Sequence, residues 1–212
     1  DKTNQPDYTN ADYANAIADM EPVRDVCDGS KAVRKQGQKY LPKYFAENQQ
    51  AYDARLKIAT LFPATARTWQ GLVGMVFRRE IKLSADVPEL VRGTEVEGET
   101  PAVEGHWENI DNAGTHGSVF AQQAFECAVR DGHSAIFVDM PPAPTSGNNA
   151  AGVVTLEDEA GLRPYWIKYE KDQILLPIRT VVENGQLKLQ QVRFKECSTE
   201  PEGEFGEVEV HR

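Results

Sequence analysis

The stretch TVVENGQLKLQQVRF, residues 180–194, decides the fold class. Within it, Asn184-Gly185 separates two runs in which apolar and polar side chains alternate. This dipeptide is the strongest short-range signal for a β-hairpin, because both central residues of a two-residue type I′ turn have positive φ. Further strand-like runs occur at residues 165–167 and 208–210. The C-terminal part is therefore predicted to be a mixed or antiparallel, β-rich region.

The N-terminal part instead follows the period of α-helices. Short helices are predicted over residues 12–37, with a break before Pro22 and an end at Gly37. Asn48 is predicted to cap a stronger helix, which Pro63 ends or kinks. The apolar stripe of that helix consists of Tyr52, Leu56, Ala59 and Phe62.

Two more helices are predicted, over residues 65–78 and 119–131. Ser118 is expected to cap the second of these, and the apolar run at 135–138 that follows it predicts a buried strand. The apolar stripe of the 65–78 helix consists of Trp69, Leu72, Val73 and Val76. Together these elements predict an α+β fold, in which an α-helical N-terminal layer packs on the β-rich C-terminal part.

Changes in composition divide the chain into three parts. Residues 1–92 are predicted to be a helical part, residues 93–107 an acidic loop insertion, and residues 108–212 an α/β-hairpin part. The strand-like alternation at 208–210 follows a predicted loop and runs up to Arg212, so it is expected to lack a partner strand. We therefore expect the natural chain to continue beyond Arg212.

Composition and charge limit the classes of function. The 212 residues are 40% apolar and 26% charged, which is enough apolar material for a core. The net charge is −10 and uneven, because residues 1–82 carry 13 basic and 10 acidic residues and residues 83–212 carry 10 and 23. An acidic chain repels phosphate backbones, which disfavours general nucleic-acid binding. No apolar run is long enough to predict a membrane span.

Motifs for catalysis or cofactor binding are missing from the sequence. Cys27, Cys127 and Cys197 are too widely spaced to suggest a zinc site or a disulfide framework, and the four histidines are equally scattered. No GxxxxGK[ST] loop occurs, and no GxGxxG follows a strand. The segment GHSAI at 132–136 lacks the closing Gly of a nucleophile elbow and has helix and strand in the wrong order. The chain is therefore predicted to be no enzyme, with no catalytic, cofactor-binding or metal-binding residue.

One face of the predicted 65–78 helix suggests a close contact. Arg67, Gly71, Gly74 and Arg78 share the arc opposite Trp69. Each Gly costs about 1 kcal/mol relative to Ala inside a helix. Two interpretations stay open: a local weak point or kink, or the close approach of another backbone from this chain or from a neighbouring subunit. The second makes these four residues a candidate helix or subunit contact.

Basic residues near the end of the same helix offer an alternative, nucleic-acid interpretation. Arg79 and Lys82 follow Arg78 closely, and the rings of Trp69 and Phe77 are near them in sequence. Basic side chains interleaved with aromatic rings are typical of grooves that bind single strands. Arg79 and Lys82 are therefore candidate DNA-proximal residues, although Trp69 belongs to the apolar stripe and is expected in the core.

A series of short motifs occurs in a defined order over about three quarters of the chain. It consists of Tyr40-Leu41-Pro42, Tyr52-x-x-Arg55-Leu56-x-x-Ala59, Ala66-Arg67-Thr68-x-x-Gly71-Leu72-x-Gly74-x-Val76-Phe77-Arg78, Asn109-Ile110-Asp111-x-x-Gly114, Gly132, Ile136-Phe137-Val138-Asp139-x-Pro141, Tyr165-Trp166 and Val192-x-Phe194. No single motif is specific, but their order and spacing resemble the portal proteins of tailed bacteriophages, in a branch often described only as a domain of unknown function. Two features depart from the family pattern: Gly132-His133 stands where Gly-Arg is frequent, and the loop at 93–105 looks like an insertion.

The resemblance implies an oligomeric ring, usually dodecameric, at one vertex of the capsid in the virion. Double-stranded DNA would pass through its channel during packaging and ejection, and the ring would be assembled in the host cytoplasm. Implied partners are terminase, the major capsid protein, scaffold and tail adaptor proteins, with no membrane and no cofactor. This chain would be the N-terminal, wing-forming portion, with the stem beyond Arg212, so no DNA-gripping or motor-docking residue carries over.

Two other functions remain as alternatives. The first is another head–tail connector or capsid-associated structural protein of a phage, and the second is an enzyme whose site is not recognised. A ring with a central hole would distinguish a portal from the first alternative. Because the stem would be missing, residues 1–212 alone are expected to be monomeric or weakly associated.

Overall fold

The computed structural model describes residues 5–93, 105–141, 163–202 and 206–211, with the backbone alone from residue 197 onward. Within these ranges the helices are α1 (Ala11–Asp28), α2 (Ser30–Gln36), α3 (Gln49–Ile58), α4 (Ala64–Val76), α5 (Glu89–Arg92) and α6 (Gly117–Asp131). The strands are β1 (Ala135–Asp139), β2 (Tyr165–Tyr169), β3 (Ile174–Glu183), β4 (Gln186–Phe194), β5 (Cys197–Glu202) and β6 (Gly206–His211). They form three antiparallel pairs, β1–β2, β3–β4 and β5–β6. The helices precede the strands in the chain, which confirms the α+β class.

The chain folds into two compact units. The first comprises Asp1–Val76, Glu126–Ser134 and Glu170–Arg212, and the second comprises Phe77–Phe125 and Ala135–Tyr169. Helix α6 belongs in part to each unit. The three parts predicted from composition, 1–92, 93–107 and 108–212, stay a prediction, and most of the acidic insertion lies outside the described residues.

Helix α1 begins the first unit and is continuous, so the predicted break before Pro22 is wrong. The Asn10 side chain caps it by accepting a hydrogen bond from the Tyr13 amide at 3.0 Å. Pro22 removes one helical hydrogen bond, but packing around the buried Met20 overrides this local preference. The Tyr13 hydroxyl donates to the Asp172 carbonyl at 2.6 Å, which joins α1 to the segment that leads into β3.

Helix α2 ends and helix α3 begins at the residues that the sequence predicts. Gly37 ends α2 with a φ of 54°, as predicted. Asn48 caps α3, because its side chain accepts from the Ala51 amide at 2.8 Å. Helix α3 ends at Ile58 rather than at Pro63, so its predicted stripe is buried only at its start. Of the four stripe residues Tyr52 is buried, Leu56 and Ala59 are half-buried and Phe62 is exposed.

The β3–β4 hairpin forms as its turn signal predicts. Asn184 and Gly185 have φ values of 52° and 78°, the left-handed region that a type I′ turn requires. The two strands are buried only at the end far from this turn, at Ile174 and Leu175. Near the turn their apolar side chains are exposed at Val182, Leu187 and Leu189.

The second unit contains a cluster of aromatic rings. Trp166 packs edge-on against Phe120, with ring centroids 5.9 Å apart, and against Trp107 at 6.4 Å. The Trp166 amide donates to the carbonyl of the buried Ile110 at 3.0 Å. The ring of Trp107 lies directly over Gly117, where it would collide with a Cβ atom. Glycine at this position therefore permits the packing of the cluster.

Three further predictions about this region and the C-terminus are wrong. Helix α6 is capped not by Ser118 but by His116, whose Nδ1 accepts from the Ser118 amide at 3.2 Å. Strand β1 pairs with β2 but is not buried. Its side chains Ile136, Phe137 and Val138 are exposed. Strand β6 does have a partner, because β5 pairs with it in place of the predicted loop, with Ser198 opposite Val210.

Candidate assembly surface

Helix α4 carries the residues for which the sequence predicts a helix contact. Its buried side consists of Ala66 and Val73, with Trp69 half-buried beside them. Leu72 and Val76, which the predicted stripe places in the core, are exposed instead. The difference arises because the helix has apolar residues nearly all round, so the pattern alone does not identify the side that packs.

The opposite side of α4 is exposed and carries one charged residue, Arg67. At about 100° per residue, the residues that face away from Ala66 and Val73 are Ala64, Arg67, Thr68, Gly71, Leu72 and Met75, and Gly74 lies at the edge of this side. We call these seven residues the outer face of α4. Met75 is 68% exposed and Leu72 is 44% exposed. Arg67 is the one charged residue of the helix, and its guanidinium carbon lies 5.5 Å from the ring centroid of Phe62.

The two glycines of the outer face are open to solvent. Nothing in the described part of the chain lies within 4 Å of the position that a Cβ atom would take at Gly71 or Gly74. A close contact within the chain is therefore not present among the described residues, and contact with a neighbouring subunit stays a prediction. The Thr68 hydroxyl donates to the Ala64 carbonyl at 2.9 Å. Another backbone could thus approach this face without leaving that hydroxyl unpaired.

Arg78 does not belong to this face, which corrects the predicted arc. Helix α4 ends at Val76, and Arg78 lies in a turn of the second unit. In that unit Phe77 packs edge-on against Phe125, with ring centroids 5.6 Å apart.

The candidate DNA-proximal residues lie in the same irregular stretch. Arg79 and Lys82 are exposed and form no ion pair with any residue that the structure describes. Trp69 lies half-buried near Cys27 in the first unit, and Phe77 is engaged with Phe125. In the described structure Arg79 and Lys82 are therefore solvated cations, but neither Trp69 nor Phe77 presents a free ring face on which a base could stack.

A network of charged side chains in the first unit was not predicted. Arg24 of α1 contacts Asp131 at the end of α6 through two hydrogen bonds, of 2.6 and 3.2 Å. Its Nη2 also lies 2.9 Å from both Glu170 and Asp172. Arg130 contacts Asp131 at 2.9 and 3.0 Å and Glu170 at 2.9 Å. Three carboxylates and two guanidinium groups thus join α1, α6 and the segment before β3.

Asp131 is the centre of this charged network, and its side chain has no exposed surface. Burial alone would raise the pKa of Asp131, but hydrogen bonds from Arg130 and Arg24 outweigh it and lower the pKa below its ordinary value. The hydrogen bond to Asp131 in turn raises the pKa of Arg24 and of Arg130. Both Asp131 oxygens accept hydrogen bonds from guanidinium groups, so this carboxylate joins α1 to α6 and is not free to act as a base.

One signal in the sequence could have pointed to this network. Asp131 ends a predicted helix, where a negative charge opposes the helix dipole and needs another stabilising partner. Its partner Arg24 lies 107 residues away, a separation over which no local pattern applies.

In the part of the chain that the structure covers, no three His, Cys, Asp or Glu side chains are grouped as metal ligands. Of the described helices, none combines the length and the hydropathy needed to cross a membrane. Compared with models of known families and with curated protein sequences, the chain gives no match.

Proposed function

We propose that this chain is the wing-forming portion of a phage portal protein, a structural component that works by assembling with copies of itself. The outer face of α4 carries the proposal, because it is exposed, is apolar apart from Arg67 and Thr68, and has open space at Gly71 and Gly74. The ordered motifs between Tyr40 and Phe194 support the portal family in particular.

The exposure of apolar side chains supports assembly. Among the described residues, 18 large hydrophobic side chains are exposed and 11 apolar residues are buried. Interfaces that are permanent in an oligomer resemble a domain core cut in half, so each subunit alone exposes such residues. A helix with small residues and a single charged residue allows close backbone approach of a neighbouring element, which suits the heterologous contacts that close a ring.

The charge of the chain supports a role around moving DNA rather than one that holds it. A net charge of −10 makes extended contact with a polyanion unfavourable. A channel through which DNA slides benefits from weak attraction, since strong attraction would slow the movement. The proposal includes location at the capsid vertex and contacts with terminase, capsid, scaffold and tail adaptor proteins.

Another head–tail connector or capsid-associated protein is the second candidate, because the same outer face would serve any ring or shell. Negative-stain electron microscopy of the protein in its full natural length distinguishes the two. A closed ring with a central channel would support the portal, and a closed assembly without a channel would favour the second candidate. A protein that stays monomeric at all accessible concentrations would overturn both.

A pair of substitutions on α4 tests whether the outer face is the contact. Gly71→Leu places a large side chain on the face, where there is open space in the single chain, so the subunit should stay folded while assembly of the protein in its full natural length is lost. Gln70→Leu is the matched control, since Gln70 is exposed on the same helix but outside the outer face. Sedimentation velocity of the full-length variants should show the loss for Gly71→Leu alone. Equal assembly of the two variants would refute the placement of the contact.

A further inference from the structure

A cavity of about 520 Å³ lies between the N-terminal segment and the β3–β4 hairpin of the first unit. Its polar lining comes from Gln5, Tyr8, Arg179, Gln191 and Arg193. We call it the two-arginine pocket. Two guanidinium groups line it and no acidic side chain of the described residues does. In a chain of net charge −10, this composition needs an explanation.

Arg193 is fixed in place by the protein itself. Its Nη1 donates to the Pro6 carbonyl at 3.1 Å and its Nη2 donates to the Leu176 carbonyl at 3.3 Å. A guanidinium group has five N–H donors, so these two bonds leave donors for a further acceptor. Neither bond neutralises the charge, because both acceptors are carbonyl oxygens.

Arg179 enters the pocket at an irregularity of the hairpin. Leu175 pairs with Arg193, Arg179 with Gln191 and Thr180 with Leu189, so the register shifts on both sides of Arg179. Such bulges redirect a side chain relative to a regular strand, and they recur next to binding sites. Arg179 forms no ion pair with any residue in the described ranges.

No carboxylate of the described residues forms an ion pair with Arg179 or Arg193. Glu183, on the same strand as Arg179, is paired with Lys188 at 2.7 Å. Asp7 lines an adjoining cavity of about 650 Å³ together with Lys195. Neither Glu183 nor Asp7 lines the two-arginine pocket.

We propose that the two-arginine pocket binds a phosphate group carried by a small organic molecule. The planar fork of Arg matches the oxygen geometry of phosphate and donates charge-assisted hydrogen bonds to it. Pro6, Pro177 and Phe194 complete the lining with apolar surface, which suits the organic part of such a ligand. The volume falls in the range of small-molecule sites, about 300–1,000 Å³. This proposal is independent of the proposed portal function.

Isothermal titration calorimetry with three probes tests the pocket: adenosine 5′-monophosphate, inorganic phosphate and adenosine. The nucleotide should bind at least 10-fold more tightly than adenosine, because only it carries the phosphate. Tighter binding of the nucleotide than of inorganic phosphate would identify an organic phosphate as the ligand, and equal binding would identify free phosphate. Equal binding of the nucleotide and adenosine, or binding of neither phosphate probe, would overturn the proposal.

Substitutions locate the binding. Arg179→Met should weaken nucleotide binding at least 10-fold with an unchanged unfolding midpoint, because Arg179 is exposed and unpaired among the described residues. Arg193→Lys keeps the charge but loses the fork, so a smaller loss is expected. Lys188→Met is the control, since it removes a cation of the same hairpin that does not line the pocket. An equal loss in Lys188→Met would show nonspecific attraction and contradict the site.

Discussion

The Arg24 guanidinium donates to Asp131 at 2.6 Å, and the Asp131 side chain that accepts this bond has no exposed surface. A charge buried in this way depends on its partners, because it has no water to replace them. Arg130 supplies a second guanidinium to the same carboxylate at 2.9 Å. The first unit therefore depends on charges brought together from α1 and α6.

Removal of one partner should destabilise the protein strongly. Arg24→Met leaves Asp131 and Glu170 with Arg130 as their remaining cation in the network and removes the network partner of Asp172. We expect the free energy of unfolding to fall by about 3 kcal/mol. Urea denaturation measures this change. Lys188→Met is the comparison, because its pair with Glu183 is solvent-exposed and should contribute less than about 1 kcal/mol. Similar losses in the two variants would contradict a special role for the buried network.

The Asp131 carboxylate should make the free energy of unfolding depend on pH. The pKa of Asp131 is lower in the folded chain than its unfolded value of about 3.9, so its stabilising effect is complete above that value. It is lost as the pH falls through the lower, folded pKa. We therefore expect Asp131→Asn to be less stable at neutral pH but to have a flatter dependence below about pH 5. Urea denaturation from pH 7 to pH 3 would disprove this if the two proteins had parallel curves.

The glycines of α4 should be replaceable by alanine in the single chain. Gly71 and Gly74 have helical backbone and open space around the Cβ position, so each change to Ala should raise the free energy of unfolding by about 1 kcal/mol. The measurement is chemical denaturation at a concentration where the protein is monomeric. Gly185→Ala is the opposite case, because the φ of 78° there is unfavourable for a side chain. A loss of stability at Gly71 or Gly74 would show that the space is filled in the folded monomer.

Gly117 should not tolerate the same change. The added methyl group would collide with the Trp107 ring, so Gly117→Ala must displace this ring and should cost about 1–3 kcal/mol. Near-ultraviolet circular dichroism should change as well, because Trp107 packs against Trp166. Gly71→Ala is the matched control in another helix. An unchanged aromatic spectrum with full stability would contradict the described packing.

Local signals in the sequence predicted local structure well. The Asn184-Gly185 turn and the Asn48 cap are both confirmed, because each depends on φ angles or hydrogen bonds within a few residues. The predicted apolar stripes were less accurate. Leu72 and Val76 look like core residues in the sequence, yet they are exposed, since a helix with apolar residues on several sides gives no indication of which side packs within the chain.

Features formed by distant parts of the chain were not predictable from such patterns. The continuity of α1 through Pro22 depends on tertiary packing, which the local preference of proline does not reflect. The pairing of β6 with β5 was missed because Pro201 and the neighbouring acidic residues resemble a loop. Of the candidate contact, the sequence located Gly71 and Gly74 on one helix but placed Arg78 there wrongly.

The interleaving of the two units has a consequence for protein synthesis. Every residue of the second unit leaves the ribosome before Glu170. Arg24 can form its full set of ion pairs only after Asp172 has been made, 148 residues later. Because domains fold as units, the second unit can fold while the N-terminal helices still lack their partners. The N-terminal helices of the first unit are thus made before the second unit but gain their charged partners after it.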